Sequence, residues 1–249
     1  MSTEESLWSQ TPPVKPISSN EVHVWRVFNE LTADQIEYLR EILSIDELTR
    51  AGRFHFEREQ RRFIAARGIL RKILGHYLDK NPRQIHFEYT HHGKPILTAR
   101  PGYHAICFNL SHSDGSIIFA ISPDQNIGID IERIRDDVDM DQISQRFFSN
   151  GEISSLKRIP KENWPELFFQ YWTRKEAFLK AMGEGISFPS EQCDVSLVNG
   201  KIFSPIILQG NHKVNSSWYV KDLFPRHGYA AALAVEKADS DVSYWHYLP

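Results

Sequence analysis

The chain has 249 residues, of which 41% are hydrophobic and 24% charged, and a formal net charge of −3. This length suits one large domain or two fused small ones, with enough apolar material for a core. The charge does not favour a nucleic acid partner. No apolar run reaches the roughly 18 residues that a membrane span requires. Cys107 and Cys193 lie far apart and form no metal-ligand spacing. Because the N-terminus is polar and lacks a signal-peptide pattern, we expect a cytoplasmic protein.

The first half of the chain predicts helices followed by an antiparallel sheet. Residues 1–20 contain three prolines and little periodicity, which predicts a loose leader. We expect a strand at 21–28, then helices that begin at capping boxes at 32–35 and 44–47, then a long helix at 57–78. Alternating residues predict short strands at 85–89, 105–110 and 116–122, with turns at 91–95 and 123–126.

The second half repeats this order. A strand at 126–132 is followed by predicted helices at 139–147, 150–158 and 165–182, and then by alternating apolar stretches at 194–198, 202–208, 217–223 and 228–235. We therefore predict an α+β fold of two similar subdomains, residues 21–123 and 124–249, each with an antiparallel sheet and packed helices. The active site is expected in the cleft between the halves. Because one chain holds both halves, we expect a monomer.

Three acidic residues give the strongest indication of chemistry. In a strand, Gly128, Asp130 and Glu132 share one face, because side chains alternate with period two. On the last long helix, Glu176 and Lys180 lie on one stripe. Buried acids are costly without a positive partner, and a divalent cation that also binds phosphate would reconcile three carboxylates with a lysine. Gly128 is expected to leave room for the close approach of a ligand.

Each acidic residue also has a structural interpretation. Asp130 and Glu132 could face solvent, and Glu176 could form an i,i+4 pair with Lys180. Glu152 fits a capping box over residues 149–152, in which it would bond the N-terminus of its own helix. The functional alternative makes Glu152 a general base, which needs hydrogen-bond reach of an attacking hydroxyl.

Several other residues are candidates for binding an anionic ligand. Lys94 lies at the tip of a predicted turn, where it either reaches a phosphate or is a plain turn lysine. Ser111 and His112 end a strand, where binding residues collect. A Ser–His hydrolase is not favoured, because adjacent side chains diverge and no GxSxG motif is present. Since Walker and GxGxxG motifs are also lacking, we expect one or two arginines of residues 53–71 to bind phosphate.

Taken in order, these segments resemble the larger phosphopantetheinyl transferases of the surfactin-synthetase-activating type. The resemblance spans about residues 20–235, and the stretches that carry it are Gly93-Lys94-Pro95, Phe108 to Ser113, Gly128 to Glu132, Phe147-Phe148 with Glu152, and Trp172 to Lys180 followed by Gly183 and Gly185. It implies a pseudo-duplicated α+β fold with its site between the halves. It also implies transfer of the 4′-phosphopantetheine arm of coenzyme A to a serine of an apo acyl or peptidyl carrier protein, which leaves adenosine 3′,5′-bisphosphate.

The resemblance also implies roles for individual residues. Mg²⁺, with Mn²⁺ as an alternative, would be bound by Asp130, Glu132 and Glu176. Glu152 would act as the base, and Lys180 would contribute a catalytic positive charge. Coenzyme A would be bound by Arg53, Arg62, Lys94, Ser111, His112 and Lys180. The carrier is expected to be an acidic, four-helix protein that meets a local basic or apolar patch.

The chain also departs from the family pattern. Relatives often carry lysines before the first long helix, whereas this chain has Asp46, Glu47, Arg50 and Arg53 there. Which arginine of residues 50–71 would hold the 3′-phosphate is therefore left open. The leader and the tail at 238–249 lie outside the resemblance. Two other functions stay open at this point: a metal-dependent phosphodiester or nucleotide hydrolase, and a catalytically idle protein that binds coenzyme A or a carrier.

Overall fold

Two four-stranded sheets face each other between two layers of helices. This architecture comes from a computed structural model, which describes residues 8–10, 17–28, 31–97, 106–183, 188–199, 201–209 and 217–248. Gly185, residue 105 and most of the leader lie outside the described residues. None of the helices in these ranges is long and apolar enough to cross a membrane.

The first sheet has the strand order β12-β1-β5-β4 and is covered by three helices. Its elements are β1 (Glu21–Val27), α1 (Ala33–Glu41), α2 (Ile45–Ala51), α3 (Glu57–Leu78), β4 (Ile106–Ser113), β5 (Ser116–Pro123) and β12 (Asp241–His246). A separate ribbon pairs β2 (Phe87–Tyr89) with β3 (Pro95–Leu97). The predicted capping boxes begin α1 and α2, so both helix starts are confirmed.

The second sheet has the order β6-β11-β10-β8 and is covered by the later helices. Its elements are β6 (Ile127–Arg133), α4 (Met140–Phe147), α5 (Asn150–Lys157), α6 (Trp164–Met182), β8 (Ser204–Pro205), β10 (Tyr219–Leu223) and β11 (Tyr229–Val235). A second ribbon pairs β7 (Cys193–Asp194) with β9 (Ile207–Leu208). The stretches at 194–198 and 202–208 thus form shorter strands than predicted.

Period-two alternation explains why each sheet can be covered on both faces. In β1, Val22 and Val24 point to the other sheet, while Trp25 and Val27 point to the helices. The isoleucines of β6 pack into the same core between the sheets. Buried apolar side chains therefore hold the sheets together, and the predicted α+β class with antiparallel sheets and packed helices is confirmed.

The end of the chain lies where the sequence did not place it. Residues 241–246, assigned to the second subdomain, form β12, which pairs in parallel with β1 of the first sheet. Ser9 of the leader forms a bridge to Trp245 in the same region. The division at residue 123 is therefore wrong for this last strand, because strand pairing between distant segments leaves no local signal in the sequence.

Candidate active site

The site lies where the edge strands of the two sheets meet. In β4, Asn109, Ser111 and Ser113 alternate on one face and bond to β6. The Oδ1 of Asn109 accepts a bond from the backbone N–H of Ile129 at 2.9 Å. The hydroxyls of Ser111 and Ser113 donate to Asp130 and Glu132, both at 2.7 Å. Polar side chains thus hold the acidic face of β6 against the first sheet.

Helix α6 brings the third acid to this seam because Gly128 lets its backbone approach β6. A Cβ at Gly128 would lie 1.9 Å from the carbonyl oxygen of Ala177 and 2.5 Å from the nitrogen of Ala181. The room that we expected at Gly128 for a ligand is therefore filled by the helix, which corrects that prediction. The close packing leaves Glu176 near enough to Asp130 and Glu132 for their charges to interact.

Asp130 is the most buried of the three acids, with 3% of its surface exposed. Its Oδ1 accepts bonds from Ser111 and from the ammonium group of Lys180, the latter at 2.6 Å. Its Oδ2 is buried and has no hydrogen-bond partner among the described residues. Because an unpaired buried carboxylate oxygen is costly, this atom indicates a place for a further positive group.

The other two acids show the effect of uncompensated negative charge. Burial, followed by the charge of Asp130, raises the pKa of Glu132. Burial, followed by the charges of Asp130 and Glu132, raises the pKa of Glu176. In the described part of the chain, no three His, Cys, Asp or Glu side chains stand together as a ready-made metal site. The donor chemistry nevertheless fits a hard divalent cation. Carboxylate oxygens are its preferred ligands, and Asp130 Oδ2 has no hydrogen-bond partner among the described residues.

The predicted coenzyme ligands Ser111, His112 and Lys180 gather around this seam. Lys180 donates to Ser111 at 2.9 Å as well as to Asp130. His112 lies on the opposite face of β4 from Ser111. Partial desolvation, then the positive charges of Lys180 and Arg62, lower the pKa of His112. With its pKa lowered, the imidazole of His112 is neutral near pH 7 and does not add to the repulsion between Lys180 and Arg62. All three side chains can then meet an anion.

Lys94 lies in a different environment from the one that the sequence predicted. Its ammonium group donates to the carbonyl oxygens of Lys180 at 2.6 Å and Ile127 at 3.2 Å. It thereby caps the C-terminus of α6, where a positive charge is favourable. Burial lowers the pKa of Lys94 to about 8. Its donors are directed at backbone carbonyls in this structure, and the role of Lys94 as a phosphate ligand stays a prediction.

Glu152 occupies the capping position that the sequence predicts. It is fully buried, and the predicted capping box with Ser149 is confirmed. Its Oε1 accepts from the backbone of Val195 at 2.9 Å, and its Oε2 lies 2.9 Å from the ammonium group of Lys175. These contacts support the structural alternative, and the general-base role of Glu152 stays a prediction.

Two cavities are lined by residues of the first half of the chain. The larger, about 690 Å³, is lined by Asp46, Thr49, Arg50, Arg53, Phe54, Tyr89 and Gly93. The smaller, about 330 Å³, has an apolar floor that includes Val27 and Ile117, and a rim that includes His112 and Arg62. The two predicted arginines thus border different cavities. Phe54 and Tyr89 were missed from the sequence, because exposed aromatic residues carry no local signal of a shared cavity.

Asp114 is a third residue that was not predicted from the sequence. It occupies the tight turn between β4 and β5 with a positive φ of 43°. Its carboxylate is bonded to Arg133 of β6, lies 3.1 Å from Arg58 and lies 3.7 Å from Arg62. The hydrogen bond from Arg133 lowers the pKa of Asp114. This cluster joins α3 to the second sheet beside the smaller cavity.

Acidic and basic groups that converge between two α+β halves define an enzyme cleft suited to a phosphate ester. Two family models match: "4′-phosphopantetheinyl transferase, N-terminal" over residues 30–124, and "4′-phosphopantetheinyl transferase superfamily" over residues 126–234. The 4′-phosphopantetheinyl transferase HetI of Nostoc sp. is 40% identical, over 98% of this chain and 99% of its own length. The 4′-phosphopantetheinyl transferase Sfp of Bacillus subtilis is 29% identical, over 84% and 89%.

Among solved structures, the holo-[acyl-carrier-protein] synthase of Thermotoga maritima matches with a TM-score of 0.36 and 22% identity, over 44% of this chain and 61% of that one. The chain belongs to the 4′-phosphopantetheinyl transferase family, and the resemblance noted in the sequence is confirmed. It is an enzyme of the transferase class. Neither alternative, a hydrolase or an idle binding protein, has support among these relatives.

Proposed function

We propose that this protein transfers the 4′-phosphopantetheine arm of coenzyme A to a serine hydroxyl of an apo acyl or peptidyl carrier protein. The observation that carries the site assignment is Asp130, whose buried Oδ2 is unpaired beside two acids of raised pKa. In the reaction, the serine oxygen bonds to the phosphorus that carries pantetheine. The bond from that phosphorus to the bridging oxygen breaks, and adenosine 3′,5′-bisphosphate leaves.

The site offers separate regions for the nucleotide and for the pyrophosphate of the coenzyme. The larger cavity combines Arg50 and Arg53 with the aromatic rings of Phe54 and Tyr89. Arginines bind phosphate and aromatic rings stack on bases, so this composition fits a phosphorylated adenosine. His112 and Lys180 then face the pyrophosphate, with Arg62 at the rim of the smaller cavity. Ser111 would contact the coenzyme only after sharing or releasing its bond to Asp130.

A divalent cation, Mg²⁺ or Mn²⁺, would be held by Asp130, Glu132 and Glu176. When bound, it supplies positive charge against the negative charge that grows on the pyrophosphate oxygens. Lys180 contributes a second positive charge at the same place, since its ammonium group already lies 2.6 Å from Asp130. Catalysis then rests on positioning and electrostatic stabilisation by residues fixed on β6 and α6.

The proton of the carrier serine needs an acceptor within hydrogen-bond reach of the hydroxyl. Glu152, the base predicted from the sequence, is buried and paired with Lys175. Glu132 and Glu176 are proposed metal ligands, and a bound cation would lower their pKa values and occupy their oxygens, so neither is assigned as the base.

The experiment that tests this function is a mass-shift assay. The protein is incubated with coenzyme A, Mg²⁺ and a panel of apo carrier proteins from fatty-acid, polyketide and nonribosomal-peptide systems. We expect one or more carriers to gain the mass of phosphopantetheine, with adenosine 3′,5′-bisphosphate as the second product. No mass gain on any carrier would overturn the proposal. Release of that product without a carrier would favour the hydrolase alternative instead.

The proposal extends to the setting of the enzyme. We propose that it acts as a monomer in the cytoplasm, because one chain supplies both halves of the cleft. The carrier would be an acidic, four-helix protein, and two arginines of α3 that border the smaller cavity, Arg58 and Arg61, offer it a basic surface. Reversing these charges is expected to weaken carrier binding, which the KM for the carrier measures.

A further inference from the structure

A buried cluster of three charges lies directly behind the larger cavity. The carboxylate of Glu47 is 2% exposed and accepts bonds from Arg67 and Arg71, each through Nε at 2.7 Å. Both guanidinium groups are buried as well. Glu47 also accepts the backbone N–H of Ser44 at 3.0 Å as part of the capping box of α2. One carboxylate therefore fixes the start of α2 to two turns of α3.

The same arginines extend to the opposite wall of the cavity. Arg67 donates through Nη2 to the hydroxyl of Tyr89 at 3.1 Å, and its guanidinium lies 4.3 Å from the ring centroid of Phe87. Arg71 donates to the carbonyl oxygens of Pro82 and Ile85 at 2.8 and 2.9 Å. The ribbon that carries Tyr89 and Gly93 is thus attached to Glu47 through α3.

Two walls of one cavity consequently depend on one side chain that does not line it. One wall is α2 and the segment after it, with Thr49, Arg50 and Arg53, and the other is the ribbon with Tyr89 and Gly93. If Glu47 lost its charge, two buried guanidinium groups would share no carboxylate. Arg67 would lose its anionic partner, and because a buried cation is costly without one, its guanidinium and the bond to Tyr89 are expected to rearrange.

We propose that Glu47 is a positioning residue for the nucleotide end of coenzyme A, acting through Arg67 and Arg71 on the two walls of the larger cavity. This inference rests on the proposed function for the identity of the ligand. Glu47 therefore organises the coenzyme pocket from behind, while Arg50 and Arg53 face the ligand.

The test is the variant Glu47→Gln, measured in two ways. Binding of adenosine 3′,5′-bisphosphate by calorimetry is expected to weaken about tenfold or more, since small misplacements of binding groups are costly. In the transfer assay, the KM for coenzyme A is expected to rise similarly, with kcat and the KM for the carrier changing little. The matched control is Ile73→Val, which loosens the same core without touching the charge cluster.

A second variant covers the case in which Glu47→Gln does not fold. Arg67→Met leaves Glu47 paired with Arg71 and removes the donor to Tyr89, so it is expected to fold and to show the same selective loss of nucleotide affinity. In the double variant the two effects should not add, because both act through one network.

Folded variants with wild-type affinity for the bisphosphate would overturn the inference. So would equal losses in coenzyme affinity, carrier affinity and kcat that follow the folded fraction, because that result indicates a structural role alone. The calorimetric measurement needs no carrier. A wild-type protein that binds the bisphosphate but transfers nothing would therefore contradict the proposed function and leave this inference standing.

Discussion

The ammonium group of Lys175 lies 2.9 Å from Oε2 of Glu152, and both side chains are buried. Lys175 also donates to the backbone carbonyl oxygens of Ser190, at 2.8 Å, and of Cys193. This pair ties α6 to α5 and to the segment that enters β7. Lys175 precedes Glu176 on α6, but its side chain is directed to α5 and β7, whereas Glu176 lies beside Asp130 and Glu132.

The first prediction concerns Glu152→Gln. Removing one charge of a buried pair is expected to cost about 3 kcal/mol of unfolding free energy, because Lys175 would stay buried without its partner. Urea unfolding measures this loss. Under conditions where the variant is folded, its turnover should stay near that of the wild type. A turnover reduced a hundredfold or more in fully folded protein would restore the general-base role.

The second prediction concerns Gly128→Ala. The added Cβ would meet the backbone of α6, which cannot move like a flexible side chain, so α6 must separate from β6. We expect a loss of several kcal/mol in unfolding free energy, or failure to fold, because an added atom at a closely packed site forces the backbone apart. Gly52→Ala is the control, because its Cβ would come no closer than 3.6 Å to other atoms. Equal thermal midpoints for the two variants would contradict this account.

The third prediction concerns Asp130→Asn. The amide keeps the shape but removes the charge that holds Lys180 and offers Oδ2 to a cation. We expect turnover to fall at least about a hundredfold, as for the loss of a charged group that acts in the transition state. Calorimetric Mg²⁺ binding should fall with it. Asp136→Asn, at an exposed position, removes the same charge and should change neither. Wild-type Mg²⁺ affinity in Asp130→Asn would rule out the assignment.

The fourth prediction concerns pH and Lys94. Its pKa is lowered by burial to about 8 from an ordinary 10.5, so between these values the unfolded chain binds more protons than the folded one. Stability therefore rises with pH across this window, relative to a variant without the group. A neutral amine still donates to the carbonyls that end α6.

The measurement is urea unfolding of the wild type and Lys94→Met at several pH values from 7 to 10.5. The difference in unfolding free energy is expected to shift in favour of the wild type as pH rises. Tyr77 is shared by both proteins, so its contribution cancels in the comparison. Cys107 is replaced by serine in both proteins, because burial raises the pKa of its thiol and the charge of Lys94 lowers it. A difference that is constant with pH would contradict the lowered pKa.

Local patterns in the sequence predicted much of this molecule. The boxes at Thr32 and Ser44, the alternation of β6, and the spacing of Glu176 and Lys180 are short-range signals, and they gave the elements and the acidic seam correctly. The family resemblance rested on the order of these segments along the chain. These patterns could not decide between a structural and a functional role for a residue. That choice depends on which residues, distant along the chain, lie next to it in the folded protein.

Lys94 and Glu152 illustrate that limit. Each was expected to meet a ligand, and each instead bonds to groups far away along the chain, the end of α6 and the segment at Val195. The larger cavity has the same origin, since Phe54 packs on Phe63 and Tyr89 bonds to Arg67, and both partners lie on α3. A sequence shows which chemical groups the side chains carry, whereas the direction in which a side chain points depends on the tertiary structure.

The position of β12 bears on how the protein is made. During synthesis from the N-terminus, β1 emerges before every other described strand, and its partner at residues 241–246 emerges after all of them. Until then one flank of β1 presents unpaired backbone groups, which favour association with other chains. The nascent enzyme therefore carries an unprotected sheet margin until β12 has emerged, and shortened products that end before Asp241 should be the aggregation-prone ones.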